Sequence, residues 1–289
     1  MQWIDSYASY YDGAAYKAWL ISHTDYAICI TGLYLAFVFY SPPYIAKYIY
    51  GGEVQRTGGK PAWLRYPWIC WNFLLSIFSF YGASHVAPVL LGHIREEGLR
   101  NALCTLYPDE FYSGPIGMAV GLFTMSKLVE YGDSVFILLS GRRSLPVLQW
   151  FHHSTTFLYC WHAYAVGSTA LNTGAALNYS VHTVMYFYFA LAEMGLKSLV
   201  RPFAKYITMI QIAQMAVGLF LMCIVAHEKY MDYLVGRPES DPAACAGTPW
   251  DAIRVQMFIA TANLVMFTQL FFKSYVHKKS QVDVTKTTK

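Results

Sequence analysis

The chain has 289 residues, of which 56% are apolar, 17% aromatic and 13% charged, with a mean hydropathy of +0.32. A soluble globular protein carries roughly 25% charged and about 45–50% apolar residues, so the composition excludes an ordinary soluble domain and predicts an all-α polytopic membrane protein. The formal net charge of +4 is too small for a nucleic-acid partner, and no polar block could form a second domain, so residues 1–289 read as one domain.

A membrane-crossing helix needs about 20 mostly apolar residues. Seven segments meet that length: Tyr26–Tyr48, Leu64–Leu90, Gly114–Leu139, Leu145–Ala165, Thr169–Met194, Pro202–Ala226 and Ala252–Tyr275. The opening MQWIDSYASYYDG is acidic and aromatic, which argues against a cleaved basic leader. Six cysteines (Cys29, Cys70, Cys104, Cys160, Cys223, Cys245) form no CxxC and no metal-ligand spacing, so neither a disulfide framework nor a zinc site is expected.

The charges between these spans alternate in sign. Asp5, Asp12 and Asp25 outweigh Lys17 in residues 1–25, and Lys47, Arg56, Lys60 and Arg65 outweigh Glu53 in the first loop. The second loop sets Glu96, Glu97, Asp109 and Glu110 against Arg95 and Arg100, the third carries Arg142 and Arg143, and the fourth has no charge. The fifth holds Lys197, Arg201 and Lys205 against Glu193; the sixth is acidic, with Asp232, Glu239, Asp241 and Asp251; the tail is lysine-rich. The positive-inside rule therefore puts loops one, three and five and the tail, residues 277–289, in the cytosol, with residues 1–25 on the lumenal side.

Ionisable groups at membrane depth cost several kcal/mol unless they line a polar interior, so they mark candidate sites. Span three holds Lys127, Glu130 and Asp133 in SKLVEYGDSVF, each about 60° from the next on one helix face. Span four holds Gln149, His152 and His153, which share a face; His162, near its far end, reads as an interfacial histidine. Span five carries Asn178, His182 and Tyr186 as one stripe, and span six adds Thr208, Gln211 and Gln214. The sequon Asn178-Tyr179-Ser180 falls inside a span and is not expected to be glycosylated.

Membrane di-iron enzymes use several histidine boxes. This chain has nine histidines but a single box, whose first position is Gln149, so no metal site is expected. Without a metal, imidazoles in a dry polar chamber suit acid–base or nucleophilic work, because desolvation favours the neutral ring with its free lone pair. Such a nitrogen can attack a thioester or remove a proton. Seven spans also fit a receptor or transporter, but neither needs a Lys/Glu/Asp face opposite a histidine pair. A retinal protein would want a lysine in the middle of span seven, and Lys273 lies at its edge.

FYSGP, KLVEYGDSVFILL, LQWFHHSTTFLYCWHAY, NYSVHTVMYFYFAL and TMIQIAQM, in this order and spacing, resemble the ELO family of very-long-chain fatty acid elongases, the 3-ketoacyl-CoA synthases of the endoplasmic reticulum. Ser134 replaces the threonine of the family's KxxExxDTxF pattern, and Gln149 replaces the first histidine of HxxHH. The Trp of QWFHH and the NYSVH form look most like the branch acting on saturated and monounsaturated chains. Gln keeps a donor and an acceptor but loses basicity, so the substitution leaves His152 and His153 as the reactive pair on their helix.

The resemblance implies a barrel of spans two to seven around an acyl tunnel, with span one outside. It implies condensation of an acyl-CoA with malonyl-CoA to a 3-oxoacyl-CoA, CO2 and CoA, without a cofactor. The expected scheme is ping-pong, with His152 as nucleophile and His182 stabilising the enolate or oxyanion; a concerted alternative keeps the same residues but has His152 act only as a base. His153, Asn178 and Gln149 would orient the pair, supported by Lys127, Glu130 and Asp133. Arg142, Arg143, Lys197, Arg201, Lys205 and Lys273 would meet CoA at the cytosolic mouth, while Tyr186, Gln211 and Gln214 would contact substrate. Implied partners are membrane lipid, the ketoacyl reductase, dehydratase and enoyl reductase of the cycle, and a second copy in a homodimer. A catalytically silent acyl-CoA-binding member is the competing expectation, raised by Gln149. The tail ending KTTK only partly matches a dilysine retrieval signal, through Lys286.

Overall fold

The structure is a computed structural model that describes residues 2–51 and 61–276; Glu53, Arg56, Lys60 and the predicted cytosolic tail with Lys286 lie outside the described residues. Among the described residues every regular element is helical. In chain order they are α1 (Gln2–Ala8), α2 (Gly13–Ser22), α3 (Thr24–Tyr50), α4 (Ala62–Cys104), α5 (Pro108–Tyr112), α6 (Gly114–Val129) and α7 (Tyr131–Leu139). There follow α8 (Val147–Val166), α9 (Thr169–Glu193), α10 (Lys197–Val200), a 3-10 turn (Arg201–Phe203), α11 (Ala204–Leu234), α12 (Trp250–Phe271) and a π turn (Phe272–Val276).

Each of the seven segments read from sequence is helical. Four helical stretches are long and apolar enough to cross a membrane: Thr24–Tyr50, Ala62–Cys104, Lys197–Leu234 and Trp250–Val276. One expectation is corrected: Gly114–Leu139 is not continuous, because α6 ends at Val129 and α7 starts at Tyr131, with Glu130 as the turn between them.

The chain runs up and down between two ends. Successive packing contacts join α4 to α9, α9 to α11, α11 to α12, α12 to α8, α8 to α6 and α6 back to α4, while α3 lies against α8 and α7. Gly82 permits the closest of these approaches: a Cβ there would stand 2.2 Å from the Tyr179 ring of α9. Leu33, Leu74, Ile77, Phe80, Phe220 and Phe258 point outward, whereas Lys127, Glu130, Asn178, His182 and Asn263 are buried. This inverts the pattern of a soluble protein and suits a hydrocarbon surround.

At one end, α4 breaks at Gly98, whose φ of 83° belongs to the left-handed region that glycine tolerates. The break turns the last residues of α4 across the bundle and brings Cys104 to Cys245, with which it forms a disulfide. The expectation of no disulfide framework is therefore wrong for this pair: the two cysteines are 141 residues apart and meet only through the tertiary fold. Around them Gly247 N–H donates to Cys104 O (2.7 Å), Thr169 N–H donates to Gly247 O (2.8 Å), and Thr169 Oγ1 donates to Leu103 O (2.6 Å). Asp232, buried beneath this loop, accepts from the Cys245 N–H and pairs with Arg100 and Arg237. The opposite end carries the six basic residues expected to meet CoA, Arg142, Arg143, Lys197, Arg201, Lys205 and Lys273, all of them exposed.

His93, beyond the apolar stretch of α4 and at the disulfide end, stacks on Tyr107 and stands 3.0 Å from Glu97 Oε1 and 2.9 Å from Glu110 Oε2. Burial works against the charged ring, but hydrogen bonds to Glu110 and Glu97 outweigh it and hold His93 above its ordinary value. Hydrogen bonds from Tyr107 and then His93 hold Glu97 below the usual carboxylate range.

Two expected outcomes follow from this end of the bundle. Replacing both Cys104 and Cys245 by Ser should cost about 2–5 kcal/mol of stability, measured as a lower melting temperature in detergent; an unchanged melting temperature would show the bridge to be dispensable. A raised His93 stabilises the fold below its unfolded value of 6.5 and loses that contribution as pH rises through the folded value, whereas the lowered Glu97 contributes until acid pH. The melting advantage of the native chain over His93→Gln should therefore shrink between about pH 6 and pH 8, and an advantage that grows over that range would contradict it.

Candidate active site

The local folding of α8 and α9 sets the level of the histidines. Pro146, with φ fixed near the helical value, precedes α8, and Gly167–Ser168 turns it directly into α9. Counting outward from that turn, His153 and His182 each stand fourteen residues away, so the two helices present them at the same depth. The last turn of α6 brings Lys127 and Glu130 to this level.

There the polar side chains form adjacent hydrogen-bonded groups. Lys127 Nζ donates to Glu130 Oε1 at 2.6 Å and to Asn178 Oδ1 at 2.7 Å, and the same ammonium lies 4.3 Å from the centre of the Phe123 ring. Asn178 Nδ2 in turn donates to His182 Nε2 at 3.0 Å, so the His182 proton lies on Nδ1, 3.7 Å from Glu130 Oε1. Asp133 belongs to a neighbouring group, accepting from Trp71 Nε1 and from Tyr186 OH, both at 2.7 Å. Gln149 Nε2 donates to His153 Nε2 at 2.7 Å, and the same His153 nitrogen is 3.9 Å from Asp133 Oδ2.

His152 stands apart. It projects towards α12, edge-on to Phe267 at 6.3 Å, and its Nδ1 is buried without a hydrogen-bond partner. It lines a cavity together with Lys127, Asn178 and Gln214. From this polar level the cavity runs towards the disulfide end between Thr156, Tyr159 and Cys160 of α8, Leu171 and Gly174 of α9, Met215 and Gly218 of α11, and Ile259 of α12. Asn178 to Leu171 spans about 10 Å of helix rise, and the lining over that distance is largely apolar. His153, His182, Glu130, Asp133, Gln149 and Tyr186 stand behind the wall rather than in it.

The structure thus brings together Lys127, Glu130, Asp133, Gln149, His152, His153, Asn178, His182 and Tyr186. Gln211 is turned away and donates to Met185 Sδ at 3.0 Å. Arg142, Arg143, Lys205 and Lys273 lie at the basic end, without ion-pair partners among the described residues. His162 pairs with Asp251 at 2.9 Å near the disulfide end. Among the described residues no group of three His, Cys, Asp or Glu side chains is arranged to hold a metal ion. Sequence reasoning passed over Trp71, which fixes Asp133, and Asn263 and Gln256, which enter the cavity from α12. The seven-residue spacing of the last two puts them on one helix face, the signal that would have found them.

A chain with this polar core between apolar helices matches the ELO model of the GNS1/SUR4 family over residues 19–283. It is 39% identical over 276 residues to fatty acid elongase 1 of Trypanosoma cruzi, covering 92% of this chain and 91% of that protein. Fatty acid elongase 1 of Trypanosoma brucei brucei is 39% identical over 274 residues, covering 92% of this chain and 87% of its own length. Fatty acid elongase 2 of T. cruzi is 35% identical over 276 residues, covering 96% and 95%. The chain belongs to the GNS1/SUR4 (ELO) family.

Removing one member of a buried ion pair leaves the other charge uncompensated and costs about 3–5 kcal/mol. Lys127→Met should therefore lower the melting temperature more than Lys127→Met combined with Glu130→Gln, which removes both charges. Additive losses in the double variant would show that the two residues do not act as a pair.

Proposed function

We propose that the protein is a fatty acid elongase, an acyltransferase that condenses acyl-CoA with malonyl-CoA to a 3-oxoacyl-CoA, CO2 and CoA, and that His152 carries the acyl group between the two half-reactions. Family membership supports the reaction. The observation that carries the residue assignment is that His152, alone of the three clustered histidines, faces the cavity.

In the proposed sequence His152 attacks the thioester carbon, the C–S bond breaks, and CoA leaves as a thiolate that takes its proton from water, while the acylated imidazole keeps its own proton. Malonyl-CoA then loses CO2; its enolate carbon attacks the acyl carbon, the C–N bond breaks, and the imidazole is regenerated. Lys127 and Asn178, in the cavity wall beside His152, supply the positive charge and the amide that stabilise oxyanion and enolate. His182 acts through Asn178, His153 is oriented by Gln149, and Glu130 and Asp133 hold the cluster in place. Tyr186 supports Asp133, and Gln214 borders the bound chain, whereas Gln211 serves helix packing. No cofactor or metal takes part.

CoA would dock at the basic end, on Arg142, Arg143, Lys205 and Lys273, with the acyl tail lying in the cavity towards the disulfide end. The succession of packed pairs α4, α9, α11, α12, α8 and α6 supports a six-helix barrel with α3 outside, seven crossings in one domain. The charge alternation supports a multi-pass protein of the endoplasmic reticulum with a lumenal N-terminus and a cytosolic C-terminus, which puts the disulfide in the oxidising lumen. The reductases and dehydratase that complete the two-carbon cycle would be separate partners, and a homodimer and a preference for saturated or monounsaturated chains belong to the same proposal.

The test uses purified protein, labelled malonyl-CoA and a panel of saturated, monounsaturated and polyunsaturated acyl-CoAs. A 3-oxoacyl product lost in His152→Ala, together with an acyl adduct on His152 when malonyl-CoA is withheld, is the expected result. Binding of acyl-CoA without product by a folded native chain would favour the silent, acyl-CoA-binding alternative.

A further inference from the structure

Each neighbouring imidazole has one nitrogen engaged by a side-chain amide. Gln149 donates to His153 Nε2 and Asn178 donates to His182 Nε2. His152 has no such donor, and its chemistry requires the opposite arrangement. To attack a carbon through Nε2, the ring must keep its proton on Nδ1, and a buried N–H calls for an acceptor.

The α12 helix provides one. Asn263 is completely buried and lines the same cavity as His152. Its Nδ2 donates to Ile259 O at 2.9 Å within its own helix, which fixes the amide and leaves Oδ1 as the free atom. That Oδ1 is buried without a hydrogen-bond partner, as is His152 Nδ1, and the two side chains approach each other across the α8–α12 contact. Phe267, one turn further along α12, abuts the same imidazole. Two orphaned and complementary buried atoms on facing helices are costly to keep apart, and hydrogen bonds of this kind tighten once substrate fills a site.

We infer that Asn263 is a positioning residue for His152, its Oδ1 accepting the Nδ1 proton so that the Nε2 lone pair is presented to the thioester. The assignment rests on the acyl-histidine reading above. As the thioester is attacked, positive charge develops on the imidazole and strengthens the Nδ1–H bond to Asn263, which neither breaks nor forms a covalent bond.

The experiment compares full-length native protein with Asn263→Leu and Asn263→Asp, the first removing the acceptor at similar volume and the second keeping an oxygen in the same place. Pre-steady-state CoA release without malonyl-CoA, the mass of the His152 peptide, steady-state kcat and KM, and thermal melting are recorded. Asn263→Leu should slow CoA release on the order of 10–100-fold, the usual cost when a functional histidine loses the partner of its other nitrogen. The acyl-CoA concentration that half-saturates this single-turnover release should stay within about twofold, since Asn263 is assigned to orienting His152 and not to holding the thioester, and Asn263→Asp should recover most of the lost rate. Native-like acylation by Asn263→Leu overturns the assignment, as does an equal loss in both variants with melting preserved. Should Asn263→Leu not fold, Asn263→Ala takes its place in the same comparison. Native protein that makes 3-oxoacyl product with no His152 adduct overturns the acyl-histidine reading itself, a result distinguishable from failure of Asn263 alone.

Discussion

The ammonium of Lys127, with 4% of its side chain exposed, sits between the Glu130 carboxylate and the Asn178 amide oxygen. A charge so placed is tolerable only while both partners remain, because desolvation otherwise costs several kcal/mol. The contact ties the last turn of α6 to the middle of α9, and the rest of the site inherits its geometry. Asn178, with its oxygen committed to Lys127, must turn its amide nitrogen to His182; Glu130, facing both Lys127 and His182, closes the circuit. His182 is thereby engaged on one nitrogen, His153 is engaged by Gln149, and His152 is left free towards the cavity.

The same cluster explains why only some helices pass as membrane spans by length and apolarity. The four stretches that do are built on α3, α4, α11 and α12. The helices α8 and α9 carry the histidines and their amide partners, which lower the apolarity by which a span is recognised, whereas α6 and α7, of 16 and 9 residues, are short because the helix is interrupted at Glu130. The polar groups are admissible because these helices pack on one another and on α4, α11 and α12, so their charged faces meet protein rather than lipid. Function and membrane signature oppose each other here on the same residues.

That opposition also sets what the sequence reveals. Lys127 with Glu130, Gln149 with His153, and Asn178, His182 and Tyr186 as a stripe stand out because helical spacing repeats polar residues inside apolar runs, and the structure places all of them within one cluster. Spacing cannot say which members face the cavity: His152 and His153 are adjacent in sequence, yet one enters the wall and the other stands behind it. Trp71 reads as one more aromatic in an apolar helix, although its indole N–H anchors Asp133. Asn263 is a lone neutral amide and attracts no notice beside charged residues. The Cys104–Cys245 bridge depends on the break at Gly98 and on a loop closing over the bundle end, neither of which has a local signature at either cysteine. Position along a helix is legible, whereas rotation about it and contact across the bundle require the neighbours.

The two ends make opposite demands on the substrates of the proposed reaction. In the proposed docking, CoA with its phosphates would remain in water near the exposed arginines and lysines, while the acyl tail would leave water for the cavity between α8, α9, α11 and α12. At the other end the passage meets Ala170 and Leu171, beneath a loop held by the Gly247–Cys104 and Thr169–Gly247 hydrogen bonds. In the proposed reaction, two CoA thioesters docked at the basic end would crowd the same surface while bringing two reacting carbons to one depth. Transfer of the acyl group to the protein before the second thioester arrives removes that conflict, since the first CoA can depart while its acyl chain stays in the cavity. An imidazole suits the intermediate role, because the acyl–nitrogen bond remains reactive towards a carbon nucleophile. A free imidazole where the polar cluster meets the apolar cavity thus suits the proposed condensation, and His152 occupies that position.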